Sequence, residues 1–145
     1  MTDSLPSLPC TCATLRRASR VLTQLYDEPL RPLGLRATQF TVLQALSLLG
    51  EVSQRDLGQL LAMDSTTLTR TLEIMSGHGW IAKRRGQDRR EWRMRLSKSG
   101  EAQLKRALPH WRKVQAWLRA QLGNELSDSL LKLTDKVTNL VAELQ

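Results

Sequence analysis

The 145-residue sequence predicts a mainly α fold with a small β-wing. Three observations carry this. Apolar residues recur at helical spacing over most of the chain. One segment, Glu91 to Leu96, alternates instead with period two. Directly before it lie two short amphipathic helices joined by the tight turn Ala62-Met63-Asp64.

Residues 1–9 hold two prolines and two serines and read as a flexible lead-in. From about Cys10 to Pro29, Leu15, Ala18, Leu22, Leu25 and Tyr26 recur every three or four residues, which predicts a helix. Pro29 and Pro32 should stop it, and Gly34 should turn the chain. A second helix, with Thr38 as N-cap, carries Phe40, Val42, Leu43, Leu46 and Leu49 and ends at Gly50. Ser53-Gln54-Arg55-Asp56 has the form of a capping box with Asp in place of Glu. It opens a short helix with Leu57, Leu60 and Leu61 inward.

Asp64-Ser65 caps the next helix, Ser65 to Ser76, which buries Leu68, Leu72 and Met75 and exposes Thr66, Thr69, Arg70 and Glu73. Two strands follow, joined through Gly86-Gln87-Asp88, and predict a two-stranded hairpin. Trp92, Met94 and Leu96 form its apolar face. Ser97 caps a long helix reaching about Leu122, with a kink expected at Pro109. After Gly123-Asn124 a last helix bears Leu126, Leu130, Leu133, Val137, Leu140 and Leu144.

Composition excludes several classes. With 41% apolar and 25% charged residues the chain has the balance of a soluble globular protein. No apolar run approaches the ~20 residues needed to cross a bilayer. MTDSLPSLPC has neither a basic residue nor an apolar stretch, so no signal peptide and a cytoplasmic location are expected. Two cysteines make no disulfide framework, in keeping with a reducing compartment.

Charge is concentrated. Net charge is +8, and between Trp80 and Lys98 eight cations (Lys83, Arg84, Arg85, Arg89, Arg90, Arg93, Arg95 and Lys98) face only Asp88 and Glu91. Such a field suits a polyanion. A major groove ~12 Å wide admits one helix whose outer side chains are short enough to approach base edges. Ser65, Thr66, Thr67 and Thr69 meet that condition, and Arg70 can reach phosphate or guanine. The tip Asp88-Arg89-Arg90 would aim an arginine at a neighbouring minor groove. A helix pair alone is a weak signal; followed by a basic hairpin it reads as a winged helix-turn-helix for double-stranded DNA, with Arg84, Arg85, Arg89, Arg90 and Arg93 as wing contacts.

The run SQRDLGQLLAMDSTTLTRTLEIMSGHGWIAKRRGQDRREWRMRLSKSG resembles the signature region of the MarR family of bacterial regulators. That family has a D-x-R wing tip, here Asp88-Arg89-Arg90, and a strand ending in L-[TS]-x-x-G, here Leu96-Ser97-Lys98-Ser99-Gly100. PLGLRATQFTVLQAL resembles the family's second helix. The resemblance covers roughly residues 12–144. It implies a homodimer built by residues 10–36 and 97–145, a DNA-binding region over 37–98, Arg90 in the minor groove, and Asp88 orienting the wing. Aligned on Tyr26 and PLRPLGL, Cys12 falls where organic-hydroperoxide sensors of this family keep their reactive cysteine. Those sensors hold the thiolate with tyrosine hydroxyls; this chain keeps Tyr26 but has Arg16 and Ala37 at the other two places.

For Cys10 and Cys12 three readings stand: partly buried inert thiols near a subunit interface, redox sensing with Arg16 supplying positive charge one turn on, or metal or metalloid binding by Cys10-x-Cys12. The two histidines and the scattered carboxylates show no ligand spacing or catalytic triad, so no metal, no cofactor and no enzyme activity are expected. His78 should cap carbonyls at a helix end, and Trp80, Trp92, Trp111 and Trp117 read as core residues, with Trp111 and Trp117 flanking a place for an unidentified small-molecule effector. The expectation is a homodimeric DNA-binding regulator, a repressor by steric logic. The alternative is an RNA-binding or protein-docking winged helix, recognisable by burial of Thr66, Thr69 and Arg70 in an interface.

Overall fold

The computed structural model describes residues 5–143. Residues 1–4 of the lead-in and Leu144 of the last apolar stripe lie outside the described residues. The elements are α1 (Thr11–Leu30), a 3-10 turn (Arg31–Leu33), α2 (Ala37–Leu49), β1 (Val52–Ser53), α3 (Gln54–Leu61), α4 (Ser65–Gly77), β2 (Ile81–Arg85), β3 (Trp92–Leu96), α5 (Lys98–Leu122) and α6 (Asn124–Glu143). This is the mainly helical fold with a small wing that the periodicities predicted.

Two boundaries differ from expectation. Pro29 sits inside the last turn of α1, and the helix ends one residue later, at Leu30. Near a C-terminus the ring's missing donor costs only one intrahelical bond. The N-cap of α2 is Arg36, not Thr38. Its first amides are satisfied from the side: Arg36 N–H donates to Gln39 Oε1 at 3.1 Å, and Ala37 N–H to Asp27 Oδ1 of α1 at 2.6 Å. No local residue pattern announces a cap supplied by a carboxylate ten positions upstream. The other caps are local and fall where expected: Ser53 Oγ accepts from Asp56 N–H at 3.0 Å, Asp64 Oδ2 from Thr67 N–H at 3.0 Å, and Ser97 Oγ from Gly100 N–H at 3.0 Å.

The wing is a three-stranded antiparallel sheet, ordered β1-β3-β2, rather than a two-stranded hairpin. β1 is only Val52 and Ser53, opposite Met94 and Arg93, and is too short to leave a period-two signature. Its pairing ties the wing to the start of α3.

The core gathers Val42, Leu43 and Leu46 of α2, Leu57 of α3, Leu68, Leu72 and Met75 of α4, and Met94 of β3, each at most 2% exposed. A buried side chain of this kind contributes roughly 1.5–3 kcal/mol. Leu49 and Leu60, expected inward, are about half exposed. They lie at the margins of their helices' apolar arcs. α5 runs through Pro109 without a break and packs Trp111 on Phe40, ring centroids 5.9 Å apart. Gln103 Nε2 donates to the Leu33 carbonyl at 2.7 Å and anchors α5 to the 3-10 turn.

Two backbone positions are sharply constrained. Ala62 closes the α3–α4 turn at φ 51°, in the left-handed region, where a side chain costs roughly 1–2 kcal/mol. At Gly100 a Cβ would overlap the Trp80 carbonyl oxygen, a backbone atom that cannot swing away. Gly100→Ala should therefore cost about 3 kcal/mol or more and lower the thermal midpoint by roughly 6–12 °C. Ala62→Gly should raise it by about 2 °C, the relief of strain being partly offset by a freer unfolded chain. Differential scanning calorimetry of the two variants beside the parent checks both; a neutral Gly100→Ala would contradict the close approach.

Candidate nucleic-acid interface

The outer face of α4 is built by its cap. Asp64 receives the N–H and the hydroxyl of Thr67, the latter at 2.6 Å, and so fixes the first turn. These bonds, the hydroxyl's first, hold the Asp64 carboxyl below its usual range. Ser65, Thr66, Thr69, Arg70 and Glu73 then line a shallow exposed concavity. Thr69 Oγ1 accepts from Gln54 Nε2 at 2.9 Å, so the start of α3 and the face of α4 form one surface. Gln54 had no role in the sequence reading, because nothing local to it points at a residue fifteen positions away. Thr66, Thr69 and Arg70 are exposed in the single chain, as a reading face requires.

The wing arginines divide into three groups. Arg84 and Arg93 are neighbours across β2 and β3 and are held by Glu51, the residue before β1. Arg84 forks onto the Glu51 carboxylate through Nε at 2.9 Å and through Nη2; Arg93 reaches it through Nε at 3.3 Å. Arg93 also donates to Glu91 Oε1 at 2.7 Å. The hydrogen bond from Arg84 is the main cause holding the Glu51 carboxyl below its usual range. Arg85 instead lies over the Trp92 ring, 3.9 Å from its centroid, and donates to the Arg89 carbonyl at 2.6 Å. Arg89 and Arg90, at the tip, and Arg95 of β3 are exposed, and like Arg85 they have no ion-pair partner among the described residues. Asp88 Oδ1 accepts from Arg90 N–H at 3.0 Å, which shapes the turn that carries both.

Trp92 is 38% exposed and Trp117 50%, so neither is a core residue. Trp92 stands on the inner face of β3 but beyond the helices that cover Met94 and Leu96, and the Arg85 guanidinium covers it instead. Trp80 is buried, and His78 stacks on it, ring centroids 4.3 Å apart, rather than turning its side chain to carbonyls.

The residues singled out around the cysteines all lie on or beside α1. Cys10 and Cys12 are both free and, in the single chain, exposed, at the N-cap and first turn of α1. The Tyr26 hydroxyl donates to Gln115 Oε1 of α5 at 2.9 Å, and burial pushes its ionisation up. Arg16 is exposed on α1. Among the described residues no cluster of three or more potential metal ligands occurs. Tyr26 instead borders an apolar cleft of about 490 Å³ between α1, α2, α5 and α6, with Leu22, Phe40, Trp111 and Val137 in its walls. Trp117 lies elsewhere, lining a separate groove with Val21, Leu25 and Val114.

Comparison with known proteins decides the family. The model of the MarR family matches residues 35–92. The transcriptional regulator MosR of M. tuberculosis, solved in complex with DNA, is 36% identical, with 94% of this chain and 98% of that one covered at a TM-score of 0.84. The chain belongs to the MarR family. Members of the MarR family are transcription regulators and not enzymes. An uncharacterized HTH-type transcriptional regulator of Bacillus subtilis (strain 168), YwoH, is 31% identical over 87 residues, which are 60% of this chain and 64% of that relative. The chain thus spans just under two thirds of that relative's length. A cysteine mutant of MarR from E. coli complexed with operator DNA shares the fold at 23% identity and a TM-score of 0.78, with 87% and 91% of the two chains covered. Among the described residues, no helix is long and apolar enough to cross a membrane.

The Asp64 cap has a pH consequence. A carboxyl lowered in the native state adds stability that is complete above its unfolded value, about pH 4, and is lost as pH falls through the native value. Asp64→Asn keeps a capping oxygen but cannot titrate. Its thermal midpoint should fall less than the parent's between about pH 5 and pH 3. Parallel acid curves for the two proteins would remove Asp64 from the account.

Proposed function

We propose that the chain acts as a homodimeric, sequence-specific DNA-binding repressor in the cytoplasm, released by a small-molecule or oxidative signal. The observation that carries the reading is the joint surface of α4 and the wing tip. Thr66, Thr69 and Arg70 stand exposed on a helix that fits a major groove, and Arg89 and Arg90 are exposed at the tip of the wing that follows it. That MosR, 36% identical, was solved in complex with DNA supports duplex DNA as the ligand. Arg70 reads a base edge or clamps phosphate, and Arg90 enters the minor groove.

The homodimer is supported by what one chain leaves uncovered. Leu126, Leu131, Leu133 and Val141 of α6 are 58–66% exposed, and Val21 of α1 is 53% exposed. Such a face needs a partner, and a two-fold copy burying ~2,000 Å² or more supplies one. Two recognition helices then face half-sites about 10 bp apart, centre to centre. The apolar cleft beside Tyr26 offers room for a small apolar effector, and the exposed thiols of Cys10 and Cys12 offer a site for oxidants.

A dimer neutralising roughly 6–10 phosphates should lose ~10³-fold or more in duplex affinity between 50 and 200 mM salt. Arg70→Ala should cost ~1–3 kcal/mol and relax base preference at one position, while Arg90→Ala should weaken binding to all sequences. Fluorescence anisotropy with a duplex selected from a random pool, alongside sedimentation velocity for the two-fold assembly, measures these. Salt-independent binding, or mutants that bind like the parent, would overturn the assignment; preference for RNA would favour the other winged-helix reading.

An oxidant acts on Cys12 through sulfenic acid, and a thiol of the partner subunit is better placed than Cys10 to close a disulfide, since residues two apart make a strained bridge. Stoichiometric organic or inorganic peroxide should then abolish DNA binding by the parent and spare Cys12→Ser. Equal affinity before and after oxidation in both proteins would leave the cleft as the sole route for a signal.

A further inference from the structure

The wing carries more arginines than it offers to a ligand. Arg84 and Arg93 lie directly opposite each other on the outer face of the sheet, where two like charges repel. Glu51 sits between them and accepts from both, and Glu91 takes the remaining arm of Arg93. Arg93 Nη2 also donates to the Glu51 carbonyl at 3.4 Å. Two guanidinium groups and two carboxylates thus form a cluster of zero net charge. Arg84 remains 58% exposed, so burial does not account for its pairing. The cluster also borders the reading face, because Gln54, three residues after Glu51, donates to Thr69 of α4.

We propose that Glu51 is a specificity-determining residue: it masks Arg84 and Arg93 from the phosphate backbone, so that the wing presents its other arginines, Arg89 and Arg90 at the tip foremost, without these two. The proposal rests on the DNA-binding reading above. A guanidinium whose fork is filled by a carboxylate has no bidentate face left for phosphate. Phosphate contacts raise affinity for every sequence equally, and a genome offers a vast excess of unspecific sites. Withholding two arginines from each subunit therefore lowers indiscriminate binding while leaving the α4 contacts to bases intact. Sequence inspection counts eight cations in this segment and gives no sign that two are neutralised from residue 51.

The test is the salt dependence of binding to a duplex of random sequence, measured by anisotropy on the full chain. Glu51→Gln keeps the shape of the side chain and removes its charge. In the dimer it should free up to four arginines and steepen the log–log salt slope by about 2–4. Arg84→Gln and Arg93→Gln should leave the slope of the parent unchanged. Introduced into Glu51→Gln, the same two substitutions should return it to the parent value. A structural role alone would instead loosen the wing and weaken binding without steepening the slope. An unchanged slope in Glu51→Gln, or a shallower one in Arg84→Gln alone, would overturn the mask while leaving DNA binding intact. If Glu51→Gln does not fold, the arginine variants in the parent decide the matter by themselves. A parent that binds no duplex would overturn the DNA-binding reading itself.

Discussion

The fold turns on the junction between the wing and α5. Ser97 N–H donates to the Trp80 carbonyl at 3.0 Å, its hydroxyl donates to the Gly79 carbonyl at 2.5 Å, and the same oxygen accepts from Gly100 N–H. One short residue thereby closes the sheet, ends α4's trailing loop and starts the longest helix. The helix can begin there only because Gly100 has no side chain to meet the Trp80 carbonyl. Everything C-terminal takes its direction from this point: Gln103 reaches the Leu33 carbonyl, and Trp111 reaches Phe40. The L-S-x-x-G pattern is thus a packing constraint that couples the wing to the helical base.

A second constraint is electrostatic. The wing is short, and its arginines would repel one another if left alone. They are given different neighbours: a carboxylate for Arg84 and Arg93, an indole face for Arg85, and solvent for Arg89, Arg90 and Arg95. The cation–π contact of Arg85 with Trp92 is worth roughly 0.5–1 kcal/mol at such an exposed place. Its larger effect is to stiffen the two strands just before the tip. Asp88 completes the arrangement by accepting from Arg90 N–H. The tip charges are therefore carried on a shaped support, which lowers the entropy lost when they are ordered on a ligand.

The two halves of the molecule meet at the apolar cleft. Its walls come from α1, α2, α5 and α6, so an occupant would touch both the core of the helix-turn-helix unit and the helices whose apolar faces lie open. Tyr26 joins the same elements through its bond to Gln115. A change in helix packing at this junction would alter the separation of two recognition helices in a dimer, the geometric quantity on which half-site binding depends.

The sequence by itself determined the local features. Helical and strand periodicity placed α1 to α6 and β3, the turn at Gly86-Gln87-Asp88 paired β2 with it, and Ser53, Asp64 and Ser97 announced their helices because a cap acts over three residues. It also located the exposed polar face of α4, since Thr66, Thr69 and Arg70 lie opposite Leu68, Leu72 and Met75 on a single helix. Tertiary structure alone decided what depends on distant partners. A two-residue strand has no period, so β1 emerged only from its pairing with β3. Asp27 caps α2 from another helix, and Gln54 joins the face of α4 from α3. Trp92 follows the strand alternation yet stays outside the core, because alternation fixes a side chain's face and not how far the covering layer extends. Eight cations in one segment specified a basic surface; which of them remain free depends on a carboxylate at Glu51 that only the folded sheet brings near, because charge composition is additive along a chain whereas ion pairing depends on distances in space.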